Sequence, residues 1–362
     1  MARAAFFADI VTSEYSSEKK FEILGNNTGN DAFIYAISNI IELDRLPRYL
    51  MSSTFDVLSE YDAFVTSDLI WITQGADAPD VIKSLLDNYP DKKIVSISMG
   101  LQSEKYSSEF CLTSDMVHTL ERISERSVIA VRGNYTAEIL LKHKISNIEI
   151  VGCPSVYQYP LFQNTFDTIL NGREVNRTTG NFRTFFENLS NKEVDILSYF
   201  AKYFSGFVEQ TPIAFSHMKP VENDDYEAIR QWLNANESVH FGLKEWIRYC
   251  SEFDFSMGSR FHGNIVAMLA GIRSLLIVCD TRTQELSEFF SLPSIPVADF
   301  DPTKKIADYY ELADFGHFVS DYHNKISRLR EFLAKNGLNF SPQYVAKLES
   351  FTFNRIGKPW QY

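Results

Sequence analysis

GSRFHGNIVAMLAGIRSLLIVCD, residues 258–280, places an arginine and a histidine two positions apart just ahead of an apolar run. Ile265, Val266 and Leu269 recur at helical spacing, Ala267, Ala270 and Gly271 are small enough for close packing, and Gly271 is a helix stop. Residues 253–257 before this helix read as a strand, and the apolar run within 273–279 after it does not alternate with polar residues, as strands buried on both faces do not. The stretch therefore reads as strand, helix, strand, one unit of a parallel sheet covered on both sides. Arg260 and His262 fall at the amino end of its helix.

The same rhythm extends outward in both directions. In the first half, residues 21–24 (FEIL) read as a strand, 25–31 (GNNTGND) as a loop and 32–43 as a helix. Residues 67–72, 93–98, 127–132 and 148–151 read as strands, and 116–126 and 135–143 as helices. Residues 164–183, rich in Asn, Thr, Gly and Arg, show no periodicity and mark the expected domain boundary. Beyond it, helices are expected over 194–204, 226–234 and 243–250, and strands over 212–216, 239–241, 253–257 and 273–279. This is an α/β chain of two Rossmann-like domains with parallel sheets, 1–160 and 161–335. Residues 336–362 are expected to form a C-terminal helix and an aromatic tail, with Trp360, that pack back on the first domain.

Composition narrows the function. The 362 residues are 45% hydrophobic and carry a net charge of −12, so the chain can bury large cores but offers no basic stripe for nucleic acid. An anion site in such a chain must be local. Cys111, Cys153, Cys250 and Cys279 have no CxxC spacing and read as free, structural thiols. No residue cluster suggests a metal, and no resident cofactor is expected. The N-terminus lacks a secretory pattern and no window reaches the length of a membrane span, so a soluble cytoplasmic protein is expected, its oligomeric state open.

An arginine at a helix amino end is electrostatically misplaced unless an anion joins it, because the free N–H groups there already carry partial positive charge. Arginine offers a planar fork for carboxylate or phosphate, and a neighbouring histidine can move a proton near neutral pH. The alternative is structural: Arg260 pairs with an acidic side chain, and His262 caps the helix or bonds within the core. Arg132 ends an apparent strand, where α/β proteins place ligand groups. The loop 25–31 lacks GxGxxG and a Walker lysine, which argues against a nucleotide-phosphate cradle, and Asn30 or Asp31 suits a helix N-cap there. His217 and His240 stand at strand ends that could face a cleft. Asp224 and Asp225 read as a solvated helix start, and Tyr157, Tyr159 and Trp246 as core packing more than sugar platforms.

Residues 259–290, SRFHGNIVAMLAGIRSLLIVCDTRTQELSEFF, resemble the C-terminal signature of the polysaccharide pyruvyl transferases: an R-x-H-[GA] motif, a small-residue helix, a hydrophobic strand and a D-x-K-like turn. Residues 130–156, AVRGNYTAEILLKHKISNIEIVGCPSV, are similar to a second segment of that family, ending in C/D-P, and residues 25–32 to its N-terminal N-x-G-D loop. The resemblance implies a GT-B-like arrangement of the two domains and transfer of pyruvate from phosphoenolpyruvate, as co-substrate, to a carbohydrate acceptor, free or lipid-linked. It implies donor binding by Arg132, Arg260 and Arg282, catalysis by His262 with Arg260, and acceptor contacts at Asn27, Asn30 and Asp31. Arg282 stands where the family has lysine, keeping the charge but not the ammonium geometry. A glycosyltransferase using a nucleotide sugar, or a non-catalytic carbohydrate binder, are the rival readings.

Overall fold

The computed structural model describes residues 3–70, 72–182, 189–212 and 226–352. A first parallel sheet has the order β2-β1-β3-β5, built from β1 (Ala4–Phe7), β2 (Asp44–Leu46), β3 (Ala63–Thr66) and β5 (Lys93–Ser96). A parallel bridge between Met99 and Val131 carries it on into the pair β7 (Ile129–Val131) and β8 (Ile148–Ile150). A short parallel pair, β4 (Ile72–Thr73) and β6 (Leu101–Gln102), lies beside this sheet in the chain.

A second parallel sheet has the order β11-β10-β9-β12-β13-β14. Its strands are β9 (Thr178–Asn181), β10 (Gly206–Val208), β11 (Glu237–Ser238), β12 (Phe255–Gly258), β13 (Arg273–Val278) and β14 (Ser294–Pro296). Numbered within the sheet, that order is 3-2-1-4-5-6, the doubly wound order whose direction reverses between its first and fourth strands. The reversal falls between β9 and β12, so a crevice opens where their carboxyl ends diverge.

Several expected elements are displaced. Residues 21–24 are not a strand but part of the helix Ser17–Ile23, which Ser16 caps by accepting from Lys19 N–H at 3.3 Å. The first strand of that sheet is instead Ala4–Phe7, all four residues buried and paired on both sides, with β2 and β3. The strand expected over 67–72 lies earlier, at Ala63–Thr66. The aperiodic stretch 164–183 holds β9, a central strand of the second sheet, whose sequence TTGN gives no hydrophobic signal. It is buried because Gly180 leaves room for Phe200 and Asn181 is claimed by polar partners. The strand expected over 239–241 falls at Glu237–Ser238. The strand expected over 212–216, from 213 on, together with His217, Asp224, Asp225 and the tail from 353, lies outside the described residues.

The C-terminal helices return to the first sheet. Asn336 Oδ1 accepts from Val128 N–H at 2.9 Å, Ile40 O accepts from Ser341 N–H at 2.8 Å, and Tyr344 Oη donates to Tyr157 O at 2.6 Å. Tyr157, Tyr159 and Trp246 are fully buried, as core residues. One contiguous apolar core runs from Phe6 and Ile37 through Val156 and Trp246 to Val266, Leu276, Tyr322 and Leu348, joining both sheets.

Candidate functional site

Parallel strands end on one side, and the side chains just beyond their carboxyl ends converge on a cavity of 810 Å³. Arg132 follows β7, Cys153 follows β8, Ser259, Arg260 and His262 follow β12, and Cys279, Asp280 and Arg282 follow β13. Asn27, and Asn30 at the start of the helix Asn30–Ile40, also line it, with Gly29 between them close beside His262.

Arg132 is 4% exposed, and its guanidinium crosses Gly100 so closely that a Cβ there would lie 2.3 Å from Arg132 Cδ. Glycine at 100 is what gives that side chain its path. Its Nη1 finds no hydrogen-bond partner among the described residues. Burial, then the neighbouring Arg282 charge, pushes the Arg132 pKa down to about 10. A buried guanidinium short of a partner favours an incoming anion.

Arg260 is the N-cap of the helix Phe261–Leu269 and His262 lies in its first turn. Asn181, at the end of β9, organises this turn. Its Oδ1 accepts from Arg260 N–H at 3.1 Å and from Asn264 Nδ2 at 3.2 Å, while its carbonyl accepts from Ser259 N–H. β9 approaches so closely that a Cβ on Gly258 would meet Asn181 O at 1.6 Å. Arg260 Nε donates to Phe182 O at 3.3 Å, and its Nη2 lies 4.0 Å from Glu209 Oε1. The structural and the ligand readings of Arg260 are thus compatible: it is anchored by Glu209 and still lines the cavity.

His262 is partly buried on the cavity wall. Burial, with Arg282 and Arg132 adding their positive charge, pushes its pKa down to about 3, so the imidazole is neutral. Its Nε2 lies 3.7 Å from Cys153 Sγ, and the ring packs near Phe33 with centroids 6.0 Å apart. Arg282 reaches Asp280 at 3.8 Å. Burial alone would raise the Asp280 pKa, but Arg282, Thr283 and Gln102 hold it below the usual carboxylate range. Asp280 also caps its own helix through Thr283 N–H at 2.8 Å.

Asn27 and Asn30 line the cavity, while Asp31 departs from its expected place. Its Oδ2 accepts from Leu243 N–H at 2.7 Å, capping the helix Leu243–Cys250, and burial raises its pKa. Neither Asn30 nor Asp31 is the N-cap of its own helix, a position held by Gly29. His240 does not line the cavity; it pairs with Ser238 at 3.0 Å and packs on Tyr249. Cys153, which the sequence presents as a structural thiol, also lines the cavity, as do Gln102 and Asp280, while Asn181 and Glu209 hold Arg260 from behind. Only the Gly-Cys-Pro turn after a strand hinted at the first. Among the described residues no three His, Cys, Asp or Glu side chains gather as metal ligands would.

Residues 82–281 match the sequence profile described as polysaccharide pyruvyl transferase. No curated protein sequence matches the chain. Among solved structures, S. aureus MnaA with UDP is similar at 10% identity, covering 90% of this chain and 96% of that one, TM-score 0.46. The UDP-GlcNAc 2-epimerase from Neisseria meningitidis bound to UDP-GlcNAc is similar at 10% identity, 91% and 100% coverage, TM-score 0.40.

Proposed function

Because the chain belongs to the polysaccharide pyruvyl transferase family, we propose that it transfers a pyruvyl group from phosphoenolpyruvate to two hydroxyls of a surface or exopolysaccharide precursor, closing a ketal. The observation that carries this reading is the gathering of Arg132, Arg260 and Arg282 beside one imidazole in a single cavity of a chain with net charge −12. Phosphoenolpyruvate joins a phosphate and a carboxylate on a three-carbon skeleton. Arg132 and Arg282, which come from the two different sheets and lie close enough for each charge to act on the other, suit one of these groups and Arg260 the other. The donor occupies a fraction of the 810 Å³ cavity, leaving space for a sugar on the Asn27 and Asn30 side.

Ketal formation protonates the donor's methylene carbon, adds a sugar hydroxyl to the resulting oxocarbenium centre, expels phosphate and adds a second hydroxyl. His262 takes the proton of the attacking hydroxyl. Its basicity is suppressed by burial and by two arginines, and a bound polyanion would offset the arginines' charge, so the base is strengthened when the donor is in place. A positioned general base of this kind contributes ~10²–10⁴-fold. Arg260 holds the donor's anionic group while the carbon becomes cationic.

The test is incubation of the protein with phosphoenolpyruvate and a panel of glycan acceptors, followed by phosphate release and mass analysis of the glycan. A ketal-linked pyruvyl group is expected with the native protein. Loss of turnover is expected in His262→Ala and in Arg260→Ala with the fold retained by circular dichroism, the second variant melting at a lower temperature because it removes a cationic partner of buried Glu209. Thermal stabilisation by nucleotide sugars and not by phosphoenolpyruvate would overturn the reading in favour of glycosyl transfer.

A further inference from the structure

We infer that Cys153 is a second proton-transfer residue of the cavity: its thiol protonates the donor's methylene carbon while His262 takes the proton of the attacking hydroxyl. This rests on the pyruvyl-transfer reading above.

The two groups arrive from opposite sheets. Cys153 follows β8 and His262 follows β12, yet Sγ and Nε2 meet at 3.7 Å on the cavity wall. The sulfur is a free thiol, 5% exposed, held by a contact of 3.1 Å to Ser155 Oγ. In the same cavity Arg132, 4% exposed, presents Nη1, which has no hydrogen-bond partner among the described residues and suits an anion beside this pair. Arg132 acts on both members of the pair and Arg282 on the imidazole, while Asp280 faces Arg132 in turn.

A cysteine beside a histidine often forms a thiolate–imidazolium nucleophile, but this environment does the reverse. Burial pushes the Cys153 thiol up, outweighing the bonds from Ser155 and the Arg132 charge, whereas burial and two arginines push His262 down. Both groups are therefore neutral, an acid next to a base, and environments that push two groups apart in this way assign their roles. Ketal formation needs one of each.

The protons balance. The S–H bond breaks as a C–H bond forms at the methylene carbon, leaving a thiolate and a carbon cation stabilised by its enol oxygen. The first hydroxyl adds to that carbon and its proton passes to His262 Nε2. The imidazolium returns it to the sulfur at 3.7 Å, so both groups are reset. The carbon–oxygen bond to phosphate then breaks with its electron pair, the second hydroxyl adds, and its proton passes through His262 to the departing phosphate.

The experiment compares the native protein with Cys153→Ser, whose hydroxyl keeps the shape and the contacts but is a far weaker acid. Thermal stabilisation by phosphoenolpyruvate and its KM should be unchanged, and kcat should fall by ~10²-fold or more. A serine variant with kcat near the native value overturns the inference and leaves the function intact. A native protein that transfers no pyruvyl group overturns the function instead. A second measurement needs no variant: the native kcat is followed across mixtures of H2O and D2O. A thiol reactant, whose fractionation factor lies below unity, gives an inverse ground-state contribution, and its absence overturns the inference even where the serine variant folds poorly.

Discussion

His262 is the residue whose surroundings make the sharpest demand. Burial first, then Arg282 and Arg132, hold its pKa near 3 when unfolded histidine titrates near 6.5. Between these values the unfolded chain binds the extra proton, so this contribution to stability is complete above pH 6.5 and is lost as pH falls toward 3. His262→Gln, which cannot be protonated there, should gain stability relative to the native protein by at most about 1.4 kcal/mol per pH unit through that window. Urea unfolding of both proteins at pH 7, 5.5 and 4.5 measures the difference. A constant difference across the three would contradict the assignment. On the proposed function, saturation with phosphoenolpyruvate should flatten the native slope, because its charge would offset the two arginines that keep the imidazole neutral.

At the scale of elements, the cavity depends on helices borrowed across the two sheets. Glu285 lies in the helix Thr281–Phe290 and is 1% exposed, yet its carboxylate serves the helix Asn134–Lys142. It accepts from Thr136 N–H at 2.6 Å and from Thr136 Oγ1 at 2.9 Å. Gly133 makes the approach possible, since a Cβ there would lie 2.3 Å from Glu285 Cγ. Arg132, one residue earlier, feels the same carboxylate, so the bridge steadies a cavity arginine as well as a helix end. Glu285→Ala leaves the Thr136 N–H and hydroxyl buried without their acceptor and should cost about 1–3 kcal/mol. Glu285→Gln keeps one acceptor oxygen and should cost less. Chemical denaturation checks both, and equal losses in the two variants would point to packing rather than hydrogen bonding.

For the whole molecule, the continuous core from Phe6 to Leu348 predicts cooperative unfolding. A single thermal transition should be seen identically by far-ultraviolet circular dichroism and by tryptophan fluorescence, and two separated transitions would show that the sheets melt independently. No helix among the described residues is long and apolar enough to cross a membrane. The sequence by itself determined the α/β alternation, most helices, and the strands before and after the Arg260–His262 turn, because apolar periodicity and glycine stops are local signals. It also named Arg132, Arg260, His262 and Arg282, which the structure brings to one cavity. It could not find β9, since the polar run Thr178–Asn181 is buried by its neighbours' needs rather than by its own hydrophobicity. Nor could it show that Asp31 caps a helix more than two hundred positions away, or that Cys153 meets His262. Those pairings join strand ends and loops distant in the chain, and only the packing of two parallel sheets on one core brings such groups within a few ångströms.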